Sequence, residues 1–118
     1  MRILVVEDDP SVAQVVADAL RLEGHDVLVA LDGGEGLSVL ETSVVDGVFL
    51  DLVMPGLDGL TVLSRIRSRH PNVPVVILSA HADTKETARA RELGAVEIIT
   101  KPTALRELTQ VLARFTSS

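Results

Sequence analysis

Cysteine is absent, so this chain has neither a disulfide framework nor a thiolate metal site. Tryptophan and tyrosine are absent as well, and phenylalanine occurs only twice. Branched aliphatic side chains must therefore fill the interior, and there is almost no aromatic platform on which nucleobases or sugar rings could stack. Basic residues are the minority, with 11 Lys and Arg against 17 Asp and Glu and a formal net charge of -6. A surface of that sign repels phosphate backbones and anionic lipid at long range, so neither nucleic acid nor membrane is expected as a direct partner. No apolar run approaches the roughly 20 residues that span a bilayer. Met1-Arg2-Ile3-Leu4 leads straight into a strand pattern without a cleavable leader, and a cytoplasmic location is expected.

With 118 residues, 47% of them hydrophobic, the chain suits one compact domain over 1–118, in which Thr116-Ser117-Ser118 reads as a tail or the start of a linker. Short apolar runs recur at 3–6, 27–31, 48–50, 75–78 and 96–99, the last interrupted by Glu97. Most are continuous rather than alternating, the pattern of strands buried on both faces of a parallel sheet. Helical periodicity lies between them. It is clearest at Val12, Val15, Val16, Ala19 and Leu20, and again at Leu105, Leu108, Leu112 and Phe115. Pro10 suits a first helical position, Gly24 a stop, and Asp83 with Glu86 resembles a capping box. Residues 58–69 form a further helix with Leu63 and Ile66 inward, 33–42 a weaker one, and 83–93 one loosely anchored by Ala88, Ala90 and Leu93. Five β-α units joined by right-handed crossovers give an α/β fold, a doubly wound five-stranded parallel sheet of order 2-1-3-4-5, flavodoxin-like.

In such a sheet the residues just after each strand gather along one edge, where ligands bind at the reversal of chain direction. Glu7, Asp8 and Asp9 follow the first strand, Asp51 the third, Ser79 the fourth, and Lys101-Pro102 the fifth. Asp8, Asp9 and Asp51 are thus expected to converge. Clustered carboxylates repel unless a cation bridges them, and ligation by oxygen alone favours a hard ion: Mg²⁺, with Mn²⁺ as the alternative. Three carboxylates and Lys101 leave a formal charge of minus two, which one divalent ion cancels. Asp51 could then attack phosphorus to form an acyl phosphate, with Ser79 donating a hydrogen bond to the phosphoryl group and Lys101 pairing with its oxygens. Taken singly, each residue also has an ordinary reading. Asp9 before Pro10 looks like a helix N-cap, Asp51 like the opening of a turn, Ser79 like a local hydrogen-bonder, and Lys101 like a solvated lysine.

Jointly, the motifs Ile3-Leu4-Val5-Val6-Glu7-Asp8-Asp9-Pro10, Leu50-Asp51-Leu52-Val53-Met54-Pro55-Gly56-Leu57-Asp58-Gly59, Leu78-Ser79-Ala80 and Gly94-Ala95 leading to Lys101-Pro102 are specific. Over essentially its whole length the chain resembles the receiver domain of bacterial two-component response regulators. The resemblance implies that Asp51 is the phosphoacceptor. It implies Mg²⁺ held by Asp9, Asp51 and the backbone carbonyl of Val53, with Asp8 assisting through water. Ser79 and Lys101 are the implied switch hydroxyl and lysine, and the Lys101-Pro102 bond is implied to be cis. The donor would be a phosphohistidine on a sensor histidine kinase or phosphotransfer protein, and the response would reach an output domain or effector protein. The domain itself would catalyse transfer and autodephosphorylation. A homodimer through the fourth helix, fifth strand and fifth helix is a further implication, with Arg89, Arg91, Glu97 and Arg106 supplying charges of both signs.

Three other functions compete. A docking module that is never phosphorylated would have no use for an intact pocket. A flavin carrier needs amides and hydroxyls around phosphate after the first strand, where Glu7-Asp8-Asp9-Pro10 repels one and Pro10 lacks an amide. An aspartyl-phosphate hydrolase needs a second acid two residues after the nucleophile, where this chain has Val53.

Two departures from the family pattern bear on output. Ile98 stands where an aromatic switch residue is usual, and Thr103 where Phe often follows Lys-Pro. An aliphatic side chain cannot present a phenol hydroxyl or rotate a large ring, so coupling between Ser79 and the fifth strand should be muted. NMR spectra of the free and beryllofluoride-bound protein are expected to show little displacement at Ile98; a large inward motion there would contradict this.

Overall fold

The computed structural model describes residues 1–54, 56, 58–80 and 84–100. Five strands alternate with four helices: β1 Arg2–Val6, α1 Pro10–Leu22, β2 Asp26–Ala30, α2 Gly33–Thr42, β3 Gly47–Asp51, α3 Gly59–Arg69, β4 Val75–Ser79, α4 Lys85–Glu92 and β5 Glu97–Thr100. The sheet is parallel throughout in the expected order, β2-β1-β3-β4-β5. The fifth expected helix, on Leu105, Leu108, Leu112 and Phe115, lies outside the described residues, as do His81, Asp83, Lys101, Pro102 and Thr103.

Because successive side chains of a strand point to opposite faces, each continuous apolar run feeds two cores. Leu4, Val6, Val48, Leu50, Val75 and Ile77 face one side and pack with Leu40 of α2, Val62, Leu63 and Ile66 of α3, and Ala90 of α4. Ile3, Val5, Phe49, Val76, Leu78 and Ile99 face the other and pack with Val16, Ala19 and Leu20 of α1. Each fully buried aliphatic side chain contributes about 1.5–3 kcal/mol.

The helix ends follow from local chemistry. Pro10 stands at the first position of α1, and Gly24, at φ +91°, supplies the left-handed residue just past its end. Asp32 caps α2 by accepting from Glu35 N at 2.7 Å, and Asp58 caps α3 by accepting from Thr61 N at 2.9 Å. Helix α4 departs from expectation. Its cap is Thr84, not Asp83, and the partner is Thr87, not Glu86: Thr84 Oγ1 accepts from Thr87 N at 3.1 Å while Thr84 N donates to Thr87 Oγ1 at 3.0 Å. A hydroxyl both accepts and donates, so two threonines complete the reciprocal box that usually takes a carboxylate. The cap stands one residue later than expected, and along the helix Ala88 is exposed while Thr87 and Ala90 are buried. The inward face of α4 is small, as expected: Ala90 and Leu93 face the core, with Thr87 in place of Ala88. Strand β2 begins and ends one residue earlier than its apolar run, because Arg2 through Val6 pair with Asp26 through Ala30 and leave Leu31 exposed.

Where β4 and β5 begin, Arg67 of α3 stitches two loops. Its guanidinium donates to Pro71 O at 2.7 Å and to Val73 O, and its stem lies under Gly94, where φ is +99°. Partial burial lowers its pKa through desolvation, which works against the charged form.

Candidate functional site

Pairing of β1 with β3 aligns Val6 with Leu50, so the next residue of each strand, Glu7 and Asp51, emerges at the same level. Pairing of β3 with β4 aligns Asp51 with Leu78, which brings Ser79 to the same edge one step further on. Single carboxylate oxygens of Glu7, Asp8 and Asp51 all lie within 4.8 Å of one another. Glu7 is fully buried, Asp51 is 2% exposed and Asp8 is half-buried.

The acid cluster therefore differs by one member from the set expected from sequence. Asp9 does not join it. Its Oδ1 accepts from Ser11 N at 2.9 Å and from Val12 N at 3.5 Å, which commits it to capping α1. Glu7 takes the vacated place, held by backbone: its amide donates to Ala30 O at 3.0 Å, and its Oε2 accepts from Asp9 N at 3.3 Å. The capping role of Asp9 was readable from Asp9-Pro10. That Glu7 shares the level of Asp51 depends on the register between β1 and β3, for which a single sequence carries no signal.

Asp51 is fixed from two directions. Its Oδ1 accepts from Val53 N at 3.1 Å, and the adjoining amide of Leu52 donates to Leu78 O at 3.3 Å on β4. Val53 is 75% exposed at the rim, and Met54 folds under it into the core. Ser79 is 7% exposed and pairs in register with Thr100, the residue before Lys101. Ile98 pairs with Ile77, is half-buried, and packs against the core beneath α2, α3 and α4.

Three carboxylates this close, two of them withdrawn from water, repel one another unless a proton or cation intervenes. Two or three oxygens with no nitrogen or sulfur among them suit a hard divalent ion, and the half-buried Asp8 leaves one side of the cluster open to water, as Mg²⁺ requires. The site fits such an ion.

Comparison with known proteins identifies the family and the fold. The sequence profile of the response regulator receiver domain matches residues 3–113. The chain is 39% identical over 108 residues to the transcriptional regulatory protein DltR of Streptococcus agalactiae, covering 92% of this chain and 48% of that protein. It is 38% identical over 108 residues to the response regulator MprA of Mycolicibacterium vanbaalenii, covering 92% of this chain and 47% of the relative. The chain thus spans about half the length of the curated relatives it matches. Among solved structures, the receiver domain of NtrX from Brucella abortus superposes with a TM-score of 0.92 at 35% identity, covering 98% of both chains. The chemotaxis protein CheY4 of Vibrio cholerae superposes at 0.90 with 25% identity, covering 97% of both.

The geometry separates Asp9 from its neighbours in a measurable way. In a calorimetric Mg²⁺ titration, Asp8→Asn and Glu7→Gln are expected to weaken affinity by about 10–100-fold. Asp9→Ala should leave affinity nearly intact while lowering stability by about 0.5–2 kcal/mol through the lost cap. Loss of Mg²⁺ binding in Asp9→Ala at unchanged stability would reverse the assignment.

Proposed function

The chain belongs to the receiver domains of response regulators, the phosphorylation switches of two-component signalling, and from that premise we propose that Asp51 is the residue phosphorylated. One observation carries this reading: the carboxylates of Glu7, Asp8 and Asp51 gather at the edge where Ser79 ends the neighbouring strand.

In the proposed reaction an Asp51 carboxylate oxygen attacks the phosphorus of a phosphohistidine on a sensor histidine kinase or phosphotransfer protein. The phosphorus–nitrogen bond breaks, its electron pair stays on the imidazole nitrogen, and an acyl phosphate forms. Glu7, Asp8, Asp51 and the Val53 carbonyl would hold Mg²⁺. When bound, that ion supplies positive charge to cancel the acid cluster and attract the transferring oxygens. The Ser79 hydroxyl donates to a phosphoryl oxygen, and Lys101 pairs with another. Hydrolysis of the acyl phosphate by water restores the resting state. The Val53 amide holds the buried Asp51 carboxylate in one orientation, so little reorganisation is needed at transfer.

The signal would pass to an output domain or effector protein, in the cytoplasm where such kinases present their phosphohistidine. Among the described residues no helix is long and apolar enough to cross a membrane. Pairing of two copies through α4, β5 and the segment beyond belongs to the same proposal, since Arg89 and Arg91 on α4 and Glu97 on β5 offer charges of both signs.

Intact-mass analysis after incubation with a small acyl phosphate and Mg²⁺ tests the reading. One phosphoryl adduct is expected, abolished by chelation and by Asp51→Asn. No adduct, or one that survives Asp51→Asn, would leave a docking module that is never phosphorylated.

A further inference from the structure

Helix α3 starts unusually close to the backbone that carries Asp51. A Cβ built on Gly59 would stand 2.4 Å from Leu52 Cα, 2.6 Å from the Asp51 carbonyl oxygen and 2.8 Å from the Leu52 carbonyl oxygen. All three are backbone atoms, so no side-chain rotation relieves the contact. The other tight glycines differ: a Cβ on Gly36 would meet Val6 Cγ2 at 2.8 Å, and one on Gly94 would meet Arg67 Cδ at 2.9 Å, both of them side chains.

The contact is also bonded. The first amide of a helix has no partner within the helix. Here the Gly59 amide turns back and donates to Leu52 O at 3.1 Å, while Asp58 does the capping through Thr61 N. Leu52 is thus held on both sides, its amide by Leu78 O of β4 and its carbonyl by Gly59 of α3. The Val53 amide that orients the Asp51 carboxylate is the next link in that chain.

We propose that Gly59 is a positioning residue for Asp51: its missing side chain lets α3 press on the 51–52 backbone, which aims the Asp51 carboxylate at Glu7 and Asp8. The proposal rests on the reading of Asp51 as phosphoacceptor. A methyl group at Gly59 must push α3 away or shift the Asp51 and Leu52 peptides, and either movement displaces a carboxylate whose partners lie within 4.8 Å.

Gly59→Ala in the full chain is the test, with Gly94→Ala as a control that crowds the Arg67 side chain, away from the acid cluster. Gly59→Ala is expected to weaken Mg²⁺ affinity by calorimetry about tenfold. It should lower the ceiling rate of acyl-phosphate transfer at saturating Mg²⁺ by about 10–100-fold, the scale of a misplacement near 1 Å. Gly94→Ala, strained by its positive φ, should lose comparable thermal stability yet keep the wild-type ceiling rate and Mg²⁺ affinity. Wild-type affinity and rate in folded Gly59→Ala would overturn the proposal, as would equal losses in both variants. Should Gly59→Ala fail to fold, amide exchange on the wild-type chain decides: the Gly59 amide is expected to be protected like those of β3, and exchange at the rate of an open helix start would overturn the proposal. If the wild-type chain takes no phosphoryl group, the phosphoacceptor reading fails, while the Mg²⁺ and exchange measurements still judge Gly59.

Discussion

The parallel register of β1, β3 and β4 is the constraint on which the site depends. Val6 opposite Leu50 and Asp51 opposite Leu78 bring Glu7, Asp51 and Ser79 out at one edge within a residue of each other. A slip of one position along β1 would replace Glu7 by Asp8 at that level and turn every apolar side chain of the strand to the wrong core. The two cores therefore lock the chemistry. Leu4 and Val6 pack beneath α2 and α3, and Ile3 and Val5 against α1, in the same register that assembles the acids.

That arrangement carries an electrostatic cost. Burying Glu7 and Asp51 side by side with Asp8 opposes folding unless charge is neutralised, and the interior around them is aliphatic and offers little screening. The backbone answers part of this through the Val53 amide on Asp51 and the Asp9 amide on Glu7. In the proposed function a bound cation would lower that cost further and draw a phosphoryl group to the same edge. Backbone bonds from β4 and α3 fix Leu52, and the Val53 amide holds the carboxylate itself.

Much of this was legible in the sequence. Continuous runs such as Ile3-Leu4-Val5-Val6 announce strands covered on both faces, and the observed strand order is a common solution for repeated β-α units with right-handed crossovers. Asp51, Asp8 and Ser79 were readable because they end strands. What stayed hidden turns on shifts of a single residue. Asp9 and Glu7 flank Asp8 and look equally acidic, and only the entry into α1 decides which one caps the helix. Thr84 and Thr87 hid because threonine is an ordinary surface residue until its hydroxyl finds a reciprocal partner. Gly59 reads as the end of a turn. Its meaning depends on a distance to Leu52 that exists only in three dimensions.

The central claim is that chemistry ends on the carboxylate of Asp51. An acyl phosphate is reduced by borohydride to an alcohol, whereas a free carboxylate and a phosphate ester are not. After incubation with a phosphodonor and Mg²⁺, borohydride treatment followed by peptide mass mapping should find homoserine in place of Asp51, with Glu7, Asp8 and Asp9 unchanged. Reduction at one of those three acids instead, or no reduction in a chain that has taken up phosphate, would contradict the account.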